Sequence, residues 1–397
     1  MIEDREYGLP EHVLELRSRL RAFVDECVIP LEGASMDADQ FDLRPEIRQE
    51  LEAQARKRGL WNLYVPEELG GSSRDLLSRL TVGEEMGRTS AVGPRKSIFG
   101  PIPGPILFQL TGALRERYLD PVVRGEKRSA FAQTEPTGGS DPAGMRTTAV
   151  RDGDDYVING RKRFIGMADE ADFIQVVAVT DPERRARGGI SIFLVDADSP
   201  GLRMVRRIPT MMGDAPCELE FTDVRVPVDR MVGEEGQGFR LAQTWITEQR
   251  LIHAARGAGV IDRCLELSAR YSSSRSSFGS PLADRQSVQW MLVDMYQHLY
   301  QLRLMLYDTA QRLMRGEDVR IASYMCKYFG DEASFAAADR AIQIHGAIGL
   351  TAEYPFEYLW RQQRSLIITE GSTEVLKMTI ARHIRDRYAE SGETVTG

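Results

Sequence analysis

The chain has 397 residues, 42% of them hydrophobic and 28% charged, with a formal charge of -8 and a pI near 5.4. That size supports two or three domains or one large composite core, and the composition is that of a globular protein rather than a disordered one. The acidic balance argues against a dedicated nucleic-acid surface. Four cysteines (Cys27, Cys217, Cys264, Cys326) lie far apart with no CxxC pair, and read as buried free thiols of a reducing compartment. Five histidines form no HExxH or comparable cluster, so no metal site is expected. The opening MIEDREYGLP lacks the basic and apolar regions of a leader, and no apolar run approaches a bilayer span. A cytoplasmic location with no membrane partner is therefore expected.

From Glu11 to about Leu119 apolar residues recur at helical spacing; Val13, Leu16, Leu20, Phe23 and Val24 mark a first helix that Pro30 should stop. PEIRQELEAQARKRG reads as a second helix ending near Gly59, before a Pro/Gly-rich loop. From about Ser129 the period shifts toward two. Asn159-Gly160 is a hairpin signal, FIQVVAV and GISIFLV suit buried strands, and ELEFTDVRVP closes the section. After GEEGQGF helical spacing returns, with helices expected over about 240–273, 284–315, 318–345 and 372–388. Contiguous strands between helical sections point away from a doubly wound parallel sheet. GAGVID at 257–262 is then no dinucleotide fingerprint: no strand precedes it, and close helix packing explains its glycines better.

AFAQTEPTGGSDPAGMRTTA (130–149), FTDVRVP, MVGEEGQGF, SRSSFGSPL, DRAIQIHGAIGLTAEYP (339–355) and TEGSTEVL occur in this order along nearly the whole chain. Together they resemble the acyl-CoA dehydrogenase family. The resemblance implies an α+β fold of three parts: an N-terminal α-helical domain (1–128), a central β-barrel (129–238) and a C-terminal four-helix bundle (239–397). It implies non-covalent FAD, a homo-oligomer (tetramer or dimer), and an enzyme of fatty acid metabolism. Such an enzyme oxidises an acyl-CoA to the trans-2-enoyl-CoA and passes its electrons to an electron-transferring flavoprotein.

By the same resemblance Phe131, Gln133 and Thr134 line the flavin ring, which needs hydrogen-bonding groups at its edge and an apolar face. Gly138, Gly139 and Ser140 let backbone and hydroxyl approach the pyrophosphate and the CoA arm. Taken alone, that loop reads equally as a Gly/Ser-rich turn. Phe164 stands where the family places an aromatic over the flavin. Gly166 replaces the hydroxyl residue that usually bonds flavin N5. In SRSSFGSPLADRQ, Arg275 should pair with the pyrophosphate of a neighbouring subunit's FAD, an arginine fork suiting two phosphates. Phe278 should pack near its adenosine and Gln286 give a polar contact, although the segment alone reads as a solvated loop. Gln343, Gly346 and Ala347 match positions holding the adenine end of the neighbouring flavin, and Ser372 and Glu374 match positions touching FAD. His345 reads as a packed or capping residue.

Glu370 follows Leu366, Ile367 and Ile368 and precedes Gly371 and a helical stretch. On its own it is a first-turn acid favouring the positive end of a helix dipole. By resemblance it is the catalytic base. Gly371 then permits close approach of the thioester, and the Glu370 N–H helps bind its carbonyl oxygen, as in an oxyanion hole. Thr369 replaces the family's tyrosine beside the base. Glu248 lies near an alternative base position, which Gln249 occupies by register. Arg250 matches an arginine supporting the site, and Thr247 replaces an aspartate that contacts pantetheine. Three other readings stay open: an acyl-CoA oxidase, an acyl-carrier-protein thioester dehydrogenase of the same fold, and a non-enzymatic helical binding module.

Overall fold

The computed structural model describes residues 7–33, 36–37, 42–93, 96–141 and 144–389. The first six residues, part of the segment read as carrying no leader, lie outside the described residues. The chain forms two compact units. One gathers Met1–Leu51, Asp75–Pro94 and Thr247–Gly397; the other gathers Glu52–Arg74 and Arg95–Ile246. The division expected at residues 128 and 238 follows the change in hydrophobic period, whereas these units follow packing.

The helical unit begins with α1 (Glu11–Phe23), whose Val13, Leu20 and Phe23 are buried at the expected spacing. Its helical path continues through a wider turn (Val24–Val28) and a tight one (Ile29–Leu31), and ends one residue beyond Pro30. Helix α2 (Pro45–Lys57) crosses into the other unit and stops two residues before Gly59. Helix α3 (Leu76–Gly87) starts at Asp75, whose carboxylate accepts the Ser78 N–H at 2.7 Å, a cap worth about 0.5–2 kcal/mol. The remaining helices are α4 (Gly238–Ser274), α5 (Gln286–Met314), α6 (Arg320–His345), α7 (Phe356–Leu366) and α8 (Thr373–Ala389). Four of these five match the expected helices within two residues. Helix α7 is new, because Pro355 and the apolar end LII masked its period.

The glycines of GAGVID sit inside α4 at helix crossings. A Cβ on Gly259 would lie 1.8 Å from the Glu84 carbonyl oxygen, and one on Gly257 would lie 3.1 Å from that of Gly330. Close packing against α3 and α6 therefore accounts for them, as the rejection of a nucleotide motif requires.

The second unit is built on a seven-stranded curled sheet. Its strands are β1 (Ser129–Ala132), β2 (Thr148–Asp152), β3 (Asp155–Ile165), β4 (Phe173–Val179), β5 (Ile190–Asp196), β6 (Leu202–Arg207) and β7 (Cys217–Pro227). The order is β1-β4-β2-β3-β7-β6, with β5 paired to β4. FIQVVAV is buried at every position because both faces are covered. In β5, Ile190, Ile192 and Leu194 join the cluster holding Tyr118, Leu119 and Val122, while Phe193 and Val195 join Tyr156, Ile158 and Phe221 on the opposite face. Each such side chain contributes about 1.5–3 kcal/mol on burial.

The hairpin signal at Asn159-Gly160 is corrected. Strand β3 runs straight through it, and the reversal between β2 and β3 falls at Gly153-Asp154, between the paired residues Asp152 and Asp155. Gly160 instead sits at a register shift, with φ +149° and Thr147 so close that a Cβ would lie 2.5 Å from its Oγ1. The Asn159 amide is spent on Asp223, donating to its carboxylate at 3.0 Å and accepting its N–H at 2.8 Å.

Candidate active site

In the helical unit, the turn after α7 carries Glu370. Its φ of +56° is the left-handed region that costs a non-glycine residue about 1–2 kcal/mol. Two basic side chains hold the turn there. Arg250 Nε, from α4, donates to the Glu370 carbonyl oxygen at 3.0 Å. Lys327 Nζ, from α6, donates to the carbonyl oxygens of Leu366 (2.8 Å) and Gly371 (3.1 Å), gripping the chain on both sides of Glu370. Gly371 is glycine for a reason: its φ is +101°, and a Cβ would meet Leu376 at 3.2 Å and Arg250 Nη2 at 3.3 Å.

Lys327 is fully buried and stands 2.7 Å from the Asp331 carboxylate, one helical turn on. Burial pushes the Asp331 carboxyl up to about 7 against the attraction of Lys327, and the nearby Glu370 charge adds to the rise. Burial likewise lowers the Arg250 guanidinium, with Tyr324 and Glu370 opposing. Arg250 lies 4.6 Å over the Tyr324 ring. Around the turn, Glu370 Oε2, Thr369 Oγ1 and Arg250 Nη1 are buried with no hydrogen-bond partner. Three unsatisfied polar atoms at one turn mark a place built for contacts the folded chain does not itself supply. His253, one turn beyond Arg250 on α4, brings Nδ1 to 3.3 Å from Glu370 Oε2, short of hydrogen-bond geometry.

The alternative base is otherwise engaged. Glu248 accepts from Arg79 Nε at 2.8 Å, both side chains being largely buried. Gln249 and Arg250 are buried, and Thr247 is half-buried on the same helix.

At the far end of α4, SRSSFGSPL forms a small hairpin pairing Ser276–Ser277 with Ser280–Pro281. Phe278 occupies its turn at φ +49° with its ring 99% exposed. Arg275, Gln286, Gln343, Gly346 and Ala347 are also exposed. The two segments meet through Tyr271, whose hydroxyl donates to the His345 carbonyl at 3.4 Å and whose ring stacks on the imidazole at 4.2 Å. His345 is packed, with Nδ1 2.8 Å from the Ala341 carbonyl oxygen. Ser372 bonds the Glu374 carboxylate. That bond, after one from the residue's own backbone, keeps this exposed acid below the usual range.

In the sheet unit, FAQTEPTGGS runs out of β1 and is laced to β3. Arg163 N–H donates to the Thr134 carbonyl at 2.8 Å, and Lys162 Nζ to that of Gln133 at 3.0 Å. Lys162 also donates to Glu135 Oε1 at 3.0 Å, and the N–H groups of Arg146 and Thr147 reach the same carboxylate at 2.6 and 2.9 Å. Burial opposes the Glu135 charge, but Lys162 and these N–H groups outweigh it and hold the carboxyl below its ordinary value. Burial brings the Lys162 ammonium down to about 8 despite Glu135. This buried pair fixes Gln133 and Thr134 beside the end of β3, where Phe164 is half exposed under the Arg163 guanidinium at 5.0 Å. Gly166 follows in a turn.

These residues fit FAD. Gln133 Oε1 is buried with no hydrogen-bond partner among the described residues, an acceptor waiting for a donor. A Cβ on Gly138 would meet nothing, and one on Gly139 would only touch Thr134 at 3.5 Å, so the fold itself does not demand these glycines. Pro142 and Ala143, which complete the motif, lie outside the described residues. Phe131 packs its ring 4.1 Å from that of Trp245, and Gly104 makes room for the indole. Among the described residues no group of side chains could hold a metal ion, and no helix is long and apolar enough to cross a membrane.

Sequence reasoning missed His253, Lys327, Asp331 and Trp245. Lys327 and Asp331 had a signal, opposite charges four apart on an apolar helix. His253 and Trp245 had none beyond being polar or bulky within an apolar period.

Residues 10–126, 130–224 and 236–385 match the N-terminal, middle and C-terminal domains of acyl-CoA dehydrogenase. The chain is 35% identical over 350 residues to the caffeyl-CoA reductase–Etf complex subunit CarC of Acetobacterium woodii, covering 86% of this chain and 91% of that protein. It is 33% identical over 392 residues to (R)-benzylsuccinyl-CoA dehydrogenase of Thauera aromatica, covering 96% and 97%. The solved FAD complex of PigA superposes with a TM-score of 0.86 at 26% identity, covering 96% and 99%. The chain belongs to the acyl-CoA dehydrogenase family. It is a flavin-linked oxidoreductase whose cofactor is FAD.

Proposed function

We propose that the protein catalyses α,β-dehydrogenation of an acyl-CoA thioester to the trans-2-enoyl-CoA, with Glu370 removing the α-proton. The observation that carries this reading is a buried carboxylate oxygen left without a hydrogen bond, on a turn held in a strained conformation by two basic side chains. A positioned base of this kind contributes roughly 10²–10⁴-fold to a rate. FAD supplies the acceptor for the β-hydride. Phe131, Gln133, Thr134 and Phe164 would line its ring, Phe131 packing against Trp245. Gly139 and Ser140 face its phosphates and the CoA arm, and Ser372 and Glu374 complete the contacts beside the base. Thr247, Arg250, Thr369 and Gly371 line the thioester side.

Arg275, Phe278, Gln286, Gln343, Gly346 and Ala347 are exposed together, which supports their holding the FAD of a second copy in a dimer or tetramer. The electron acceptor is an electron-transferring flavoprotein, a reading supported by the relative named as an Etf-complex subunit. We further propose the three-domain division at residues 128 and 238 and a cytoplasmic location.

Because one relative is named a reductase, the reverse reaction is the second reading. The same residue, protonated, would then deliver a proton to the α-carbon. An anaerobic panel of straight-chain, branched and aryl acyl-CoAs, mixed with the purified holoenzyme, tests the function by flavin bleaching. The matching enoyl-CoAs, mixed with dithionite-reduced enzyme, test the direction by return of colour. A panel that changes neither spectrum refutes both readings.

A further inference from the structure

We infer that His253 is a positioning residue for the base, its imidazole steadying the Glu370 carboxylate in the ionised form that accepts the α-proton. This rests on the reading of Glu370 as base. Helix α4 presents Arg250 and His253 three residues apart, hence on one face. Arg250 fixes the main chain of Glu370 at its carbonyl oxygen, and His253 meets the side chain 3.3 Å from Oε2. The two contacts hold the residue at both ends, main chain and side chain.

His253 is 6% exposed, and its neighbours Leu251, Ile252, Ala254 and Ala255 are all buried. A polar ring in such a run is costly unless polar groups face it, and the Glu370 carboxylate is one that does. Other charged or titratable groups close to this turn are Arg250 on α4 and Tyr324, Lys327 and Asp331 on α6. Lys327 is directed to Asp331 and to two carbonyl oxygens, and Arg250 Nε to the main chain. A small rotation of the carboxylate would turn the 3.3 Å approach into a hydrogen bond.

The test compares His253→Leu with His253→Asn. Asparagine places an amide N–H near the position of Nδ1; leucine does not. With whichever acyl-CoA of the panel bleaches the flavin fastest, the acid limb of kcat/KM should move up by about one pH unit in His253→Leu, since an N–H facing a carboxylate favours its charged form. At neutral pH kcat should fall by roughly tenfold with little change in KM. His253→Asn should return both toward the parent enzyme. An unmoved acid limb in His253→Leu, or equal shifts in the two variants, overturns the inference.

A second measurement stands even if a variant fails to fold. The His253 ring of the intact holoenzyme, followed by NMR with labelled histidine, should titrate at lower pH in Glu370→Gln than in the parent, because a carboxylate neighbour favours imidazolium. Identical midpoints overturn the inference. The parent reading fails separately, if Glu370→Gln still reduces flavin anaerobically at the normal rate.

Discussion

Glu84 and Glu370 are both acids set among basic residues of the same compact unit, and they are treated oppositely. Glu84, in α3, has a side chain only 1% exposed and every bond it can use. Arg303 donates to Oε1 through Nε (2.8 Å) and Nη2 (2.6 Å), while Arg17 and Tyr307 reach Oε2 at 3.1 Å each. Burial alone would raise its carboxyl, but Arg17 and Arg303 outweigh that and hold it down to about 2. Glu370 is 23% exposed; Arg250 bonds its carbonyl oxygen, Lys327 bonds the carbonyls of Leu366 and Gly371 on either side, and His253 approaches Oε2 at 3.3 Å without bonding it. A saturated carboxylate is a structural tie with little tendency to take a proton. One kept short of partners, on a strained turn, suits the role of base proposed for it.

Replacing each acid by glutamine turns this comparison into an experiment. The largest effect is expected at Glu370. Glu370→Gln keeps the shape of the side chain but cannot accept the α-proton, so turnover should fall by roughly 10²–10⁴-fold. The melting temperature and FAD content should stay near those of the parent, because the lost oxygen made no hydrogen bond. Bound acyl-CoA should still perturb the flavin spectrum without bleaching it. Near-normal anaerobic reduction in this variant would return Glu370 to the role of a first-turn acid.

Glu84→Gln should do the reverse. It leaves Arg17 and Arg303 buried beside a neutral amide, which costs about 3–5 kcal/mol of stability. Activity per folded molecule should be unchanged. The same group sets an acid limit on the fold. Its carboxyl is held below the usual value near 4.5, so its stabilisation is complete above that pH and is lost as pH falls toward about 2. The difference corresponds to about 3 kcal/mol. Denaturant unfolding at pH 6 and pH 3 should show about 2 kcal/mol of this loss in the parent, the rest falling below pH 3, and a smaller loss in Glu84→Gln. Equal losses would mean that Glu84 is not the group being titrated.

Neither half of the comparison was fully legible in the sequence. The order of helices and strands was, since period and breakers are local properties, and the six motif segments carried the family resemblance that singled out Glu370 and the FAQTEPTGGS loop. Glu84 could not be read, because its partners Arg17, Arg303 and Tyr307 are 67, 219 and 223 residues away. Nothing local distinguishes an acid that will meet two arginines from one that will meet water. His253 was hidden for the same reason, 117 residues from the base, and Lys327 was visible only as half of a pair with Asp331. The hairpin misplaced at Asn159-Gly160 shows the converse. A strong local signal was overridden by strand pairing with β7 and by the closeness of Thr147.

A smaller effect is expected at Arg275. Its side chain is exposed on a single chain, so Arg275→Ala should leave folding intact. If it meets the pyrophosphate of a second copy's FAD, the variant loses a charge-assisted hydrogen bond worth about 1.5–3 kcal/mol. FAD should then dissociate more readily on dilution, as the oligomer does. FAD retention identical to the parent, or tight FAD on a monomer, would remove Arg275 from the cofactor site.

The smallest effect is expected at Gly166, which by resemblance stands where the family has a hydroxyl residue. Its φ is not among the left-handed ones, so a serine can replace it without backbone strain. The turn that holds it begins two residues after Phe164, whose half-exposed ring is proposed to lie against the flavin. A hydroxyl added there should bond flavin N5 and favour one redox state over the other by the worth of a single hydrogen bond, about 0.5–1.5 kcal/mol. For a two-electron couple that is about 10–30 mV. Gly166→Ser should therefore shift the flavin potential by that amount while leaving FAD content unchanged, since Gln133, Thr134 and the Lys162–Glu135 pair beneath them are untouched. An unchanged potential would show that N5 already has a donor in the parent, and that Gly166 removes a side chain without removing a bond.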